Sequence, residues 1–331
     1  MNRPSARIRI AVAGIAAAAL VACGGGGGAD EPTVKFPSDI RTGVASAGAD
    51  INTSNLPEVS TDAIEALLSA LGGDVSVSQP LGTARSQPLH LAGRAAAHLT
   101  RAERARPLAI EQDVQACVAG GTVTVTVDDA DNNRLLTTGD TVTFSYADCL
   151  GGAGAPAING GFTMRFNAVV LDTRAQPAAF DATVTMDLLS VASIGSLDGS
   201  ARLWVSPVIG GLRSFVRYQD MVSVTNTDTG EEVAILNFDV DRTESGTTVV
   251  ASINGSLQLG SDIYVLTQIT PFDITTSDPG SGQLRMTDAQ GDRLLMTARA
   301  SVVDVDLFLA SNSTSTPDSS IVGTPWASFR Q

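Results

Sequence analysis

Histidine is nearly missing from this chain, with two in 331 residues, and cysteine (three), tryptophan (two) and lysine (one) are almost as rare. Some of these scarcities argue against a class of function. His90 and His98 stand eight apart with no acidic or thiol partner at ligand spacing, which argues against a zinc centre or a histidine-driven hydrolase. Aromatic residues make up only 5% of the chain, too few for the girdles of a transmembrane β-barrel. Lys35 stands alone beside 20 arginines and abundant alanine, a coding bias without functional content. The longest apolar run, Ile10 to Val21, has 12 residues, where a helix needs about 20 to span a bilayer. No Gly-x-Ser-x-Gly elbow, Ser-x-x-Lys pair or phosphate-cradling glycine loop occurs, so the chain is not expected to be an enzyme. Acidic residues outnumber basic ones 35 to 21, for a net charge of −14, which argues against nucleic acid and against adsorption to anionic headgroups.

What is present begins with Leu20-Val21-Ala22-Cys23, behind a start carrying Arg3, Arg7 and Arg9 and ahead of Gly24 to Gly28. The order of basic start, short apolar core and small residues is that of a secretory signal. The last four residues resemble a bacterial lipobox. That resemblance implies that residues 1–22 are removed as a signal peptide and that Cys23 carries a diacylglycerol thioether and a third, palmitate-like acyl chain. More than one chain is needed for persistent anchoring. Gly24 in place of Asp resembles an outer-membrane address, on the periplasmic or the outer face. The competing reading is an ordinary signal cut near Ala22, leaving a soluble protein.

Residues 23–60 are rich in glycine, serine, aspartate and proline without lasting periodicity, and read as a flexible tether. Residues 61–110 read as helical. Ser60-Thr61-Asp62 offers an N-cap, Ile64, Leu67, Leu68 and Leu71 recur at helical spacing, and Gly72-Gly73 stops the run. Leu89 to Arg106 repeats the pattern more weakly, and Pro107 ends it.

From residue 111 to the end the period is two. Phe162, Met164, Phe166 and Ala168 alternate with polar residues, as do Phe180, Ala182, Val184, Met186 and Leu188. Leu236, Phe238 and Val240 do the same, as do Val303, Val305, Leu307 and Leu309. Such segments are half-buried antiparallel strands, on the order of eleven of them. The predicted fold is mainly β: a large antiparallel meander, curved into a barrel or half-barrel, with one or two short N-terminal helices; a β-sandwich is the alternative. One motif recurs at Ile158-Asn159-Gly160-Gly161-Phe162, Leu197-Asp198-Gly199-Ser200-Ala201 and Ile253-Asn254-Gly255-Ser256-Leu257. These are curvature points inside strands or Asn-Gly hairpin turns.

With Cys23 lipidated, Cys117 and Cys149 are left as a pair, expected to form a disulfide in an oxidising envelope. They lie just outside the arms of a hairpin, Thr122 to Val127 and Thr141 to Tyr146. The connecting segment places Asp129, Asp131, Asn133, Thr137 and Asp140 at positions one, three, five, nine and twelve of twelve residues. This spacing resembles the calcium loops of EF-hands and dockerins, where alternate oxygens converge on a hard cation. Arg134 stands where those loops carry glycine, and strands rather than helices flank the segment. A plain acidic turn is the competing account. If calcium binds, its expected role is structural, stiffening the hairpin end beside the disulfide. The carboxylate pairs Asp239 with Asp241 and Asp304 with Asp306 read as solvated strand faces rather than acid/base pairs.

Lipobox, glycine tether, hairpin disulfide and Asn-Gly-Ser strand openings together resemble the β-rich lipoproteins of Gram-negative bacteria, a poorly characterised family that implies no established activity. The expected function is a membrane-anchored envelope protein whose β-domain binds or scaffolds an envelope partner. The alternatives are a carrier or chaperone for a lipid or other hydrophobic ligand, and a hydrolase with an unrecognised site.

Overall fold

The structure is a computed structural model that describes residues 34–71, 96, 110–150, 157–191, 195–219, 222–225, 232–274, 278–312 and 315–329. Among them are one α-helix, α1 (Leu56–Leu71), and a single antiparallel sheet. Its first eight strands are β1 (Ile110–Ala116), β2 (Thr122–Asp128), β3 (Thr141–Leu150), β4 (Ala157–Leu171), β5 (Pro177–Val191), β6 (Gly195–Val208), β7 (Gly211–Tyr218) and β8 (Val222–Thr225). The rest are β9 (Glu232–Ser245), β10 (Thr248–Leu259), β11 (Asp262–Ile274), β12 (Pro279–Thr287), β13 (Arg293–Arg299), β14 (Val302–Phe308) and β15 (Ser319–Pro325). Neighbours in sequence are neighbours in the sheet, with one irregularity. β7 and β8 run in line, both paired between β6 and β9, and together occupy one strand position of the sheet. β1 and β15 are the two edges and do not pair with each other, so the sheet is a meander that does not close.

The alternation that identifies the strands also decides their packing. In β5, Phe180, Ala182, Val184 and Met186 are all at most 1% exposed. Equivalent residues from β2 to β7 and from β9 to β14 belong to one continuous core that also contains Leu56, Val59, Ala63, Ile64 and Leu67 of α1 and Trp326 beyond β15. A single core shared by strands so far apart in the order requires the sheet to curl around the helix. Burying each large side chain contributes roughly 1.5–3 kcal/mol, so the helix face is as much a part of the core as any strand.

The curl has local causes that the recurrent glycine motif marks. Gly160 (φ 80°), Gly199 (φ 132°) and Gly255 (φ 141°) lie inside β4, β6 and β10, not in hairpin turns. Register shifts accompany them: between Asn159 and Gly161, opposite Gly199 between Met186 and Leu189, and between Asn254 and Ser256. The motif is therefore a bulge that bends the strand and increases its twist. At Gly255 the space is also closed, since a Cβ would sit 2.6 Å from the Asn237 carbonyl oxygen and from Phe238 Cα. These bulges correct three residues of the expected alternation. A shift after Phe166 turns Ala168 to the face of Asp181 and gives the inward place to Val169. A second shift gives Leu189, 2% exposed, the inward place expected for Leu188. The shift at Gly255 sets Leu236 opposite Ser256, whose Oγ accepts from Val44 N, so Leu236 lies outside the core that Phe238 and Val240 join.

α1 begins at Leu56, four residues before the expected cap. Asn52 caps it instead: its side-chain oxygen accepts from Ser54 N (2.9 Å) and Asn55 N (3.2 Å), and its carbonyl accepts from Leu56 N (3.1 Å). The second expected helix, with His90 and His98, falls outside the described residues apart from Ala96, which is helical and buried. The lipobox and Cys23 also fall outside them.

Residues 34–51, expected to belong to the tether, are bound to the polar face of the sheet. Arg41 N donates to Asp239 on β9 (3.0 Å), Val44 N to Ser256 on β10 (2.9 Å), and Ser46 N to the Ile263 carbonyl on β11 (2.9 Å). Gly43 passes so close to β10 that a Cβ would meet the Gly255 carbonyl at 2.1 Å. Ile51 N then donates to Asp288, in the β12–β13 loop, at 2.8 Å, and the chain turns over the sheet end to enter the core as α1. From residue 34 onward the chain is a strap across β7 to β11, which shortens the expected tether at its C-terminal end.

Candidate functional site

β2 and β3 form the expected hairpin, from Thr122↔Ala147 to Asp128↔Thr141, and the acidic segment connects them. Cys117 and Cys149 are bonded, with Cα atoms 5.5 Å apart and a sequence separation of 32. The disulfide lies at the opposite end of the hairpin from the loop. The pairing puts Thr122 and Ala147 near the cystine and Asp128 and Thr141 at the loop, so any ion there would stiffen the far end and not the end beside the disulfide.

The loop gathers all five of its sequence-predicted residues. Ligand oxygens of Asp129, Asp131 and Asp140 lie within 4.8 Å of one another. Thr137 Oγ1 donates toward Asp131 (3.4 Å) and Asp140 (3.3 Å), and Asn133 Nδ2 donates to Asp131 (2.8 Å). Backbone amides converge as well: Ala130 N (2.9 Å) and Thr137 N (2.6 Å) on Asp140, and Asn133 N (3.2 Å) and Arg134 N (2.7 Å) on Asp129. Arg134 adopts φ 62°, the left-handed turn for which the resembled loops use glycine. The backbone thus makes the sharp turn despite the side chain. Its guanidinium forms no ion pair with the three aspartates among the described residues.

Asp129 and Asp140 are only 4% and 0% exposed. Burial pushes the Asp140 carboxyl above its ordinary value, amide hydrogen bonds from Thr137 and Ala130 oppose the rise, and the nearby Asp129 charge adds to it. Carboxylates crowded and buried in this way favour either a proton or a cation between them. For a cation, Asn133 would have to turn its amide so that the oxygen faces inward. The same hydrogen bonds serve a plain Asx-type acidic turn.

A second cluster was not foreseen. Asp50, Asp288 and Asp292 also bring ligand oxygens within 4.8 Å of one another, where the strap turns into the core. Asp288, 4% exposed, accepts from Ile51 N, Gln290 N and Asp292 N, so its work is to fasten that turn. No local spacing could have revealed it, because Asp50 and Asp288 are 238 positions apart.

The carboxylate pairs read as solvated strand faces are instead engaged in ion pairs and hydrogen bonds. Arg217 holds Asp239 with two bonds (2.9 and 2.8 Å), and Arg213 holds Asp241 likewise (2.9 and 2.7 Å). Asp304 pairs with Arg299 (2.7 Å) and accepts from Gly323 N (2.7 Å), and Asp306 accepts from Ser320 Oγ (2.6 Å). Asp181, on β5, is held by Arg202 of β6 with bonds of 2.8 and 2.6 Å. These bonds raise the three guanidinium values above their ordinary one, led in each case by the aspartate. Carboxylates tied in this way are unsuited to proton transfer.

No described helix is long and apolar enough to cross a membrane, which leaves membrane crossing by strands unaddressed. Comparison with protein-family models, with curated proteins and with solved structures finds no match to this chain.

Proposed function

We propose that this chain is an envelope lipoprotein, anchored through lipid on Cys23 in the outer membrane, whose curled β-domain is a non-enzymatic binding or scaffolding module. The observation that carries the choice between module and carrier is the state of the apolar face. A lipid carrier needs space between helix and sheet. Here Ile64 (0% exposed) and Leu67 (2%) pack in one core with Phe180, Leu284 and Met286, each at 0%. Side chains lining a lipid-sized void would retain accessible surface. The hydrolase reading loses its candidates, because its carboxylates are bonded to arginines, a serine hydroxyl and a backbone amide.

Val34, where the strap is already on the sheet, is eleven positions from Cys23, so full extension limits the gap between lipid and domain to about 38 Å. The domain would sit close to its membrane. Metabolic labelling with palmitate tests the anchor: label is expected in the native protein and absent from Cys23→Ala. Label retained in that variant, or absent from both, would overturn it. Mass spectrometry of gently extracted protein tests the module, and a stoichiometric co-purifying lipid would return the carrier reading.

The acidic loop supports a second, compatible reading, a structural calcium ion held by Asp129, Asp131, Asn133, Thr137 and Asp140. Its support is the pair of buried carboxylates, Asp129 and Asp140, which have no arginine or lysine ion-pair partner among the described residues. Calcium at about 100 times its Kd would add about 2.7 kcal/mol, or about 5 °C in Tm for a chain of this size. Asp129→Ala/Asp131→Ala is expected to abolish that shift. An unchanged melt up to millimolar calcium would leave the acidic turn as the whole account.

A further inference from the structure

On the outer face of β4 to β7, beside the first residues of the strap, lies an open groove of about 720 Å³. Its lining reverses the sign of the protein. Lys35, Arg41, Arg202 and Arg217 face it with Asp39 and Asp181, four cations against two carboxylates, in a chain of net charge −14. Even with Asp239, the partner of Arg217, the positive groups remain in excess.

The cations differ in what they have left to give. Arg217 has little left: four of its five N–H groups bond Asp239, through Nε and Nη2, and Asp39, through Nη1 and Nη2. Arg202 uses Nε and Nη2 on Asp181, which leaves Nη1, and its guanidinium lies 4.9 Å from the centre of the Trp204 ring. The Arg41 guanidinium gives Nη1 to the Tyr218 carbonyl at 2.7 Å and forms no ion pair with a carboxylate among the described residues, and neither does the Lys35 ammonium. Three cationic groups with spare donors, two from the strap and one from β6, thus share one opening. Ala168, Val170 and Trp204 supply apolar surface beside them.

We propose that this groove binds a phosphate group carried on a small polar body. Donors arriving from separate chain segments suit the several outward oxygens of a phosphate better than the flat edge of a carboxylate. The phosphate could belong to a phospholipid headgroup or to a free phosphate ester. Lys35 is twelve residues from Cys23, so, resting on the lipid-anchor reading, the groove lies within about 42 Å of the bilayer and the headgroup is the expected source. Binding a free ester does not depend on that reading.

The chain's two tryptophans make the test direct. In Trp326→Phe, with Trp204 the remaining reporter, titration with glycerol phosphate is expected to give a saturable fluorescence change and a raised Tm. Sodium chloride of equal ionic strength should give neither. Lys35→Gln/Arg41→Gln in the same background should weaken binding at least tenfold while the circular dichroism spectrum is kept. Should Trp326→Phe fail to fold, the Tm shift is read on the native chain. No saturable change, or equal binding by the double variant, overturns the site. Flotation of the purified chain, extracted unlipidated as Cys23→Ser, with phosphatidylglycerol vesicles then separates the sources. Flotation lost in the double variant upholds the headgroup, whereas glycerol phosphate binding without flotation overturns the headgroup and leaves the free ester. Palmitate labelling reports separately on the anchor.

Discussion

If the helix is a permanent part of the core, shortening its inward side chains must cost what any core truncation costs. Ile64→Ala removes three carbons from a side chain with no exposed surface, and Leu67→Ala removes three from one that is 2% exposed. At about 0.8 kcal/mol for each buried carbon the transfer loss is about 2.4 kcal/mol. The cavity left behind brings each variant to about 3–4 kcal/mol. For a chain of this length that is a fall of about 6–8 °C in Tm. Glu58→Ala, on the exposed side of the first turn, is the control and should stay within about 1 kcal/mol. The assay is urea and thermal unfolding followed by circular dichroism, with uptake of a hydrophobic dye measured on the same samples. Two results together refute the reasoning: truncations no more harmful than the control, and dye uptake by the native chain at room temperature. The helix would then be a displaceable plug, and the chain a carrier.

Other expectations follow from the same contacts. Asp239 is 2% exposed and its side-chain partners are Arg217 and one strap amide, so Arg217→Met should cost about 3–5 kcal/mol. Arg217→Met/Asp239→Leu should recover most of that in a double-mutant cycle; an additive cycle would deny the coupling. Reducing the Cys117–Cys149 bond should lower stability by about 3–4 kcal/mol, read as a shifted urea midpoint in dithiothreitol. Gly255→Ala should destabilise by more than 2 kcal/mol, because positive φ and a closed space act together, whereas Gly246→Ala, in an open turn, should cost less. For the acidic loop, the raised Asp140 value means that without calcium the folded state holds this proton more tightly than the unfolded chain. Asp140's own contribution to stability is then greatest below the ordinary carboxyl value near 3.8 and is lost as pH rises through the raised one. A bound cation requires the ionised form, so the calcium-induced rise in Tm should shrink as pH falls from 7 toward 4.5. A rise independent of pH would place the ion elsewhere.

The alternation of Phe180, Ala182, Val184 and Met186, like that of Val303, Val305 and Leu307, was sufficient to identify strands and their buried face. Side-chain period is a local property of extended chain. The calcium-like spacing from Asp129 to Asp140 was legible for the same reason, being contained in one loop. So was the cystine, because Cys117 and Cys149 flank the two arms of one hairpin. The Asn-Gly motif located the bulges but could not tell them from turns, since glycine serves both and only the partner strand's register decides. The helix start was misplaced because Asn52 and Ser60 are equally good caps locally, and the strap docking at residues 34–51 favours the earlier one.

What the sequence determined by itself was the period of the chain and the content of its individual loops: a large antiparallel meander with one wet and one dry face. What only the tertiary structure decided was everything made by distant partners. Asp239 meets Arg41 and Arg217, Asp50 meets Asp288, and Lys35 shares a groove with Arg202 because a glycine-bent sheet and a strap bring them together. A glycine- and aspartate-rich segment looks like free linker until the surface that accepts its amides exists. That surface is built from strands more than 170 positions away.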